Sequence, residues 1–132
     1  MALLLVAAGL LAGYGAVAVA STLIGTDGSD TLTGTAEPDQ LYGEAGADAL
    51  LGLEGNDYLE AGTGKDRVDG GLGGDLVIGG TGDDRVDAGA GNDQVQAYSK
   101  GATVIRCGPG YDTVIIDKRD RPARDCEKRV MH

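Results

Sequence analysis

The chain has no tryptophan, no phenylalanine, one histidine and two cysteines among 132 residues. Each scarcity removes a class of protein. Without large aromatic side chains or a long amphipathic helix, and with 24 glycines, the apolar volume is too small for a conventional globular core. The lone histidine is His132, the last residue, and neither G-x-S-x-G nor H-E-x-x-H occurs, so the usual hydrolase and zinc-protease sites have nothing to build on. Acidic residues outnumber basic ones 21 to 11, for a net charge of −10, which argues against nucleic acid as a partner.

What the chain does contain is one phrase said eight times. Residues 25–96 read GTDGSDTLT, GTAEPDQLY, GEAGADALL, GLEGNDYLE, AGTGKDRVD, GGLGGDLVI, GGTGDDRVD and AGAGNDQVQ, with no insertion between copies. The sixth position is always aspartate: Asp30, Asp39, Asp48, Asp57, Asp66, Asp75, Asp84 and Asp93. The eighth is always Leu or Val, from Leu32 to Val95. The first and fourth are glycine or alanine everywhere except Glu37. Glycine takes positive φ at no steric cost, so a turn falls once per nonad, and the x-Leu/Val-x triplet after it has room for one short strand with a single inward side chain.

A nine-residue period is too short for a helical repeat and too poor in apolar residues for a coiled coil, but it suits a parallel β-solenoid. With two nonads per coil, Leu32, Leu50, Val68 and Val86 stack in one sheet and Leu41, Leu59, Val77 and Val95 in the other. The aspartates then stack as 30/48, 39/57, 48/66, 57/75, 66/84 and 75/93. Carboxylates roughly 4.8 Å apart repel one another unless a cation lies between them. Calcium suits the site best, because it accepts six to eight oxygen ligands in flexible geometry, including carbonyls of a glycine-rich turn. Magnesium demands a strict octahedron, and zinc wants imidazole or thiolate. Residues 25–96 hold 16 acidic and 3 basic residues, net −13, and six ions between six stacked pairs would supply +12. Glu37 and Pro38 make the second repeat the poorest, and weaker calcium binding is expected at Asp39.

The repeats resemble the nonapeptide of RTX (haemolysin-type) calcium-binding proteins, G-G-x-G-x-D-x-U-x, which GGTGDDRVD at 79–87 matches at every position. The resemblance implies an all-β, right-handed parallel β-roll, a secreted chain, and folding that waits for extracellular calcium. It also implies that the eight aspartates above are ligands, with glycine-turn carbonyls completing each shell.

Residues 1–20 are apolar or small and end in Ala18-Val19-Ala20 before Ser21, the pattern of a secretory leader, although no Lys or Arg precedes the apolar run. A membrane anchor and a cap on the solenoid are the competing readings. Residues 21–115 are assigned to the β-roll, with Thr22-Leu23-Ile24 as a first strand. After Gln96 the turn glycines are lost, Thr103-Val104-Ile105 occupies a strand slot, and Arg106 reads as one inserted residue. The phrase then returns as CGPGYDTVI at 107–115, which adds Asp112 to the ligand set.

Residues 116–132 form a basic tail. Cys107 and Cys126 are an even pair in a chain read as exported, which suggests a disulfide stapling the tail to the last coil; a metal or redox pair is the alternative. The segment also resembles the end found on some small secreted bacterial RTX-like proteins, through Cys107, Gly108, Gly110, Asp112, Val114, Asp117, Asp120, Asp125, Cys126 and Glu127. That supports a terminal cap. Three functions remain open: a calcium-dependent structural module, an adhesin using an outer apolar stripe of Tyr42, Tyr58, Leu76 and Ile78, and a polysaccharide-active solenoid enzyme or its accessory module. The stacked turns already account for the carboxylates an enzyme would need, so a non-enzymatic binder is expected, with polysaccharide or protein as candidate partner. Only Thr31 and Thr33 could begin the threonine ladder of an ice-binding face.

Overall fold

The computed structural model describes residues 4–7, 19–97 and 100–131. Most of the segment read as a leader therefore lies outside the described residues, and no helix among them is long and apolar enough to cross a membrane. The described strands are β1 (Leu4–Ala7), β2 (Ser21–Ile24), β3 (Thr31–Thr33), β4 (Gln40–Tyr42), β5 (Ala49–Leu51), β6 (Tyr58–Glu60), β7 (Arg67–Asp69), β8 (Leu76–Ile78), β9 (Arg85–Asp87), β10 (Gln94–Gln96), β11 (Val104–Arg106), β12 (Thr113–Ile116), β13 (Arg121–Pro122) and β14 (Lys128–Met131).

They alternate between two sheets, ordered β1-β2-β4-β6-β8-β10-β12-β14 and β3-β5-β7-β9-β11-β13. All pairings are parallel except β1 against β2, where Leu4–Ala7 runs antiparallel to Ser21–Ile24. The chain is a parallel β-roll of the expected repeat, with Leu32 beside Leu50, Leu50 beside Val68 and Val68 beside Val86. In the facing sheet Leu23, Leu41, Leu59, Val77, Val95 and Val114 follow one another in register. Every one of these side chains is buried. A three-residue strand offers one inward position, so the core is two facing columns, filled by Leu and Val through Val95 and joined by Ile105 and small first-position residues such as Ala61 and Ala88.

The frame shift lies elsewhere than expected. Arg106 is an ordinary ninth-position residue paired with Asp87, and Ile105, not Val104, points inward beside Val86. The extra residue enters the preceding turn: Gly79 donates to Gln96, 17 residues on, whereas Gly82 donates to Lys100, 18 residues on. That turn keeps one glycine of the phrase, Gly101, whose φ of +151° and stacking on the Gly82 carbonyl put it in the fourth position, two residues before Thr103. Thr103 consequently takes the sixth, aspartate slot, where it is 1% exposed.

The C-terminal segment continues both sheets. Strand β13 pairs with β11 and β14 with β12, and the inward columns end on Pro122 and Arg129. The Cys107–Cys126 disulfide, with Cα atoms 5.2 Å apart, ties this segment to the coil before it.

Fourth-position glycines carry the closest turn contacts. A Cβ on Gly64, whose φ is +141°, would lie 1.6 Å from the Gly46 carbonyl oxygen of the preceding coil. At the fifth position Gly74 has ordinary φ, and its nearest Cβ contact would be 3.1 Å. In calcium-containing buffer, chemical denaturation should therefore show Gly64→Ala losing about 3 kcal/mol or more, while Gly74→Ala changes stability by less than about 1 kcal/mol. Reducing the disulfide should cost about 3 kcal/mol in the same assay.

Candidate metal centre

Each turn delivers its aspartate inward at the shoulder of the roll, and all nine aspartates named above are at most 5% exposed. They stack as expected, joined by a ladder in which the backbone N–H of one donates to Oδ1 of the aspartate one coil later. Along one edge Asp39 donates to Asp57, Asp57 to Asp75 and Asp75 to Asp93, each at 2.8 Å, and Asp93 to Asp112 at 2.9 Å. Along the other, Asp30 donates to Asp48 and Asp48 to Asp66 at 2.8 Å, and Asp66 to Asp84 at 3.0 Å. One carboxylate oxygen thus fixes the register between coils.

The second oxygen is left bare. Oδ2 of Asp48, Asp57, Asp66, Asp75, Asp84, Asp93 and Asp112 is buried and accepts no hydrogen bond. Its surroundings are oxygen-rich. A Cβ built on Gly52 would lie 2.5 Å from Oδ2 of Asp57 and 2.3 Å from the Gly70 carbonyl oxygen; on Gly43 it would lie 2.8 Å from Oδ2 of Asp48 and 2.3 Å from the Ala61 carbonyl oxygen. The arrangement repeats at Gly70, with Asp75 and the Ala88 carbonyl. A buried, unpaired anionic oxygen beside a carbonyl dipole of the same sign is costly, and a hard cation or a proton removes the cost. The residues present fit calcium: all candidate donors are oxygens, and before Asp48, Asp57, Asp75 and Asp84 the first position is a glycine with no side chain to fill the space beside them, whereas Ala61, Ala88 and Cys107 take that position before Asp66, Asp93 and Asp112.

The same seven carboxyls are pushed above their ordinary range, chiefly by desolvation and in several cases by neighbouring aspartates, Asp57, Asp84 and Asp93 to about 6. Asp30 and Asp39 share the columns, but their Oδ2 atoms accept hydrogen bonds from the N–H and hydroxyl of Thr26 and Thr35.

Two members of the ladder escaped the sequence reading. Oδ1 of Asp120 accepts the Thr103 N–H at 3.0 Å, and Oε2 of Glu127 accepts the Asp112 N–H at 2.9 Å, so each column ends on an acid from the C-terminal segment. Their offsets, 17 and 15 residues, hid them from an 18-residue period. Cys107, Asp125 and Cys126 cluster tightly as well, but the sulfurs are bonded to each other.

A parallel solenoid whose edges are ladders of buried, half-satisfied carboxylates defines a class of cation-binding repeat protein. The family of the RTX calcium-binding nonapeptide repeat (4 copies) matches twice, at residues 24–59 and 60–95, more than half of the chain, and the chain belongs to that family. No curated protein and no solved structure matches it.

The raised carboxyls set a direction for pH. An aspartate held near 6 in the ion-free fold, against 3.8 ordinarily, contributes stability that is fully present below 3.8 and is lost as pH rises through 6. With calcium stripped on a chelating resin, acidification from pH 7 to 4 should therefore increase β-structure by circular dichroism. Calcium affinity should fall over the same interval, because protons and ions compete for the same oxygens.

Proposed function

We propose that the chain is an extracellular module that folds on binding several calcium ions and then serves a structural or adhesive role, without catalysis. The row of seven buried Oδ2 atoms with no donor carries this reading. Without a cation, backbone entropy and carboxylate desolvation oppose the roll, and its two-column core is thin compensation. An ion that binds only the folded form adds stability by mass action. Folding would then follow free calcium, scarce in bacterial cytosol and abundant outside, in keeping with the leader-like residues 1–20.

The outer face of the larger sheet supports the adhesive role. Tyr42 and Tyr58 pack with ring centroids 5.5 Å apart, and Tyr58 is flanked in register by Gln40 and Leu76 while Tyr42 lies beside Glu60 and then Ile78. A shallow groove beside them runs along the ladder aspartates Asp39, Asp57 and Asp75 and is lined as well by Gln40, Asn56, Tyr58, Asn92 and Gln94. Amides next to an aromatic ring suit a polysaccharide, which offers hydroxyls and apolar ring faces together.

Far-UV circular dichroism of residues 21–132 during a calcium titration tests the folding step, with magnesium as control. A coil-to-β transition in calcium alone is expected. A chain already fully folded in chelator would overturn calcium-driven folding.

A further inference from the structure

Taking calcium binding as the working reading, we infer that the second residue of each nonad selects between two kinds of turn, and that the two turns beginning in threonine hold no ion. In the turns of Asp48, Asp57, Asp66, Asp75, Asp84, Asp93 and Asp112 the second residue has positive φ: Glu44 at 74°, Leu53 at 80°, and Gly62, Gly71, Gly80, Gly89 and Gly108 between 77° and 100°. The fourth residue is then a positive-φ glycine as well. These are the seven turns whose Oδ2 is bare.

Thr26 and Thr35 occupy the second position of the first two turns, and neither is among the residues with positive φ. A β-branched side chain at positive φ is strongly disfavoured, whereas Glu and Leu enter that region at about 1–2 kcal/mol. With the backbone outside that region, the threonine N–H donates to Oδ2 of its own aspartate, at 2.6 Å in the first turn. The hydroxyl donates to the same oxygen and accepts the N–H of the fourth residue, Gly28 or Glu37, at 3.1 Å. The ring closes without a metal. It also explains Glu37: once the second residue is threonine, the fourth no longer needs positive φ, and a glutamate is tolerated.

The surrounding oxygens persist in the closed turns. A Cβ on Gly25 would lie 3.0 Å from Oδ2 of Asp30 and 2.5 Å from the Gly43 carbonyl oxygen, much as at Gly43 and Gly52. Turn conformation, not the supply of oxygens, distinguishes the two kinds. Thr26→Gly should therefore open a seat at Asp30, and Leu53→Thr should close the one at Asp57.

The full chain, loaded with calcium, is counted for bound ions by native mass spectrometry and by calorimetric stoichiometry. Thr26→Gly is expected to bind one ion more than the parent chain, and Leu53→Thr one fewer. An unchanged count in Thr26→Gly would overturn the inference, since the first turns would then be closed by their place at the end of the roll. If Leu53→Thr does not fold, Thr26→Gly at the exposed first turn decides alone. A parent chain that binds no calcium would instead refute the calcium reading itself, so the two failures are distinguishable.

Discussion

A carboxylate buried with only half of its hydrogen-bonding capacity satisfied is the constraint around which this molecule is arranged. Oδ1 of each aspartate reaches back to the N–H of the aspartate one coil earlier, holding neighbouring coils in register. Oδ2 is left without a donor in the seven turns from Asp48 onward, where a proton or a cation would remove the cost of burying it. Structure and ion demand come from the same side chain. An apolar residue in the sixth position would remove the desolvation cost, but also the side-chain acceptor for a backbone donor that would otherwise be buried and unpaired.

The thin core follows from the same economy of parts. With three-residue strands only one strand side chain per nonad enters the interior beside the turn aspartate, and Leu or Val there stacks on its equivalent in the next coil. A quasi-one-dimensional stack of this kind distributes stability over neighbour contacts, with no central hydrophobic mass. The disulfide and the acids of the C-terminal segment act where that logic fails, at the last coil, which lacks a regular repeat beyond it. Asp120 and Glu127 supply the acceptors that the next aspartates would have provided.

Much of this was legible because the period and the physics coincide. Asp in every sixth position and Leu or Val in every eighth leave one register open to a two-nonad coil, and the observed pairings follow it through Val95. Leu23 as a first inward residue and Asp112 as a late ladder member were legible for the same reason. Where the period breaks, the reading weakened. The insertion lies before Gly101 and not at Arg106: Gly101, Thr103 and Ile105 keep the fourth, sixth and eighth spacing of the phrase, a signal that one glycine and a threonine in place of aspartate make faint. The contrast between Thr26 or Thr35 and the later second positions was visible in the residues, yet its meaning depends on backbone φ and on where one carboxylate oxygen ends up.

The perimeter of the coil changes along the axis. Successive strands in one sheet are offset by 18 residues up to β10, then by 19 to β12 and 15 to β14; in the other, β9 to β11 is 19 and β11 to β13 is 17. The roll tapers at this end, and its inward columns finish on a proline and an exposed arginine. A regular nonad stacked on this coil would meet a narrower ring that offers Pro122 and Arg129 where Leu or Val stands elsewhere. Duplication of the phrase fits the uniform stretch upstream, where one coil is geometrically interchangeable with the next.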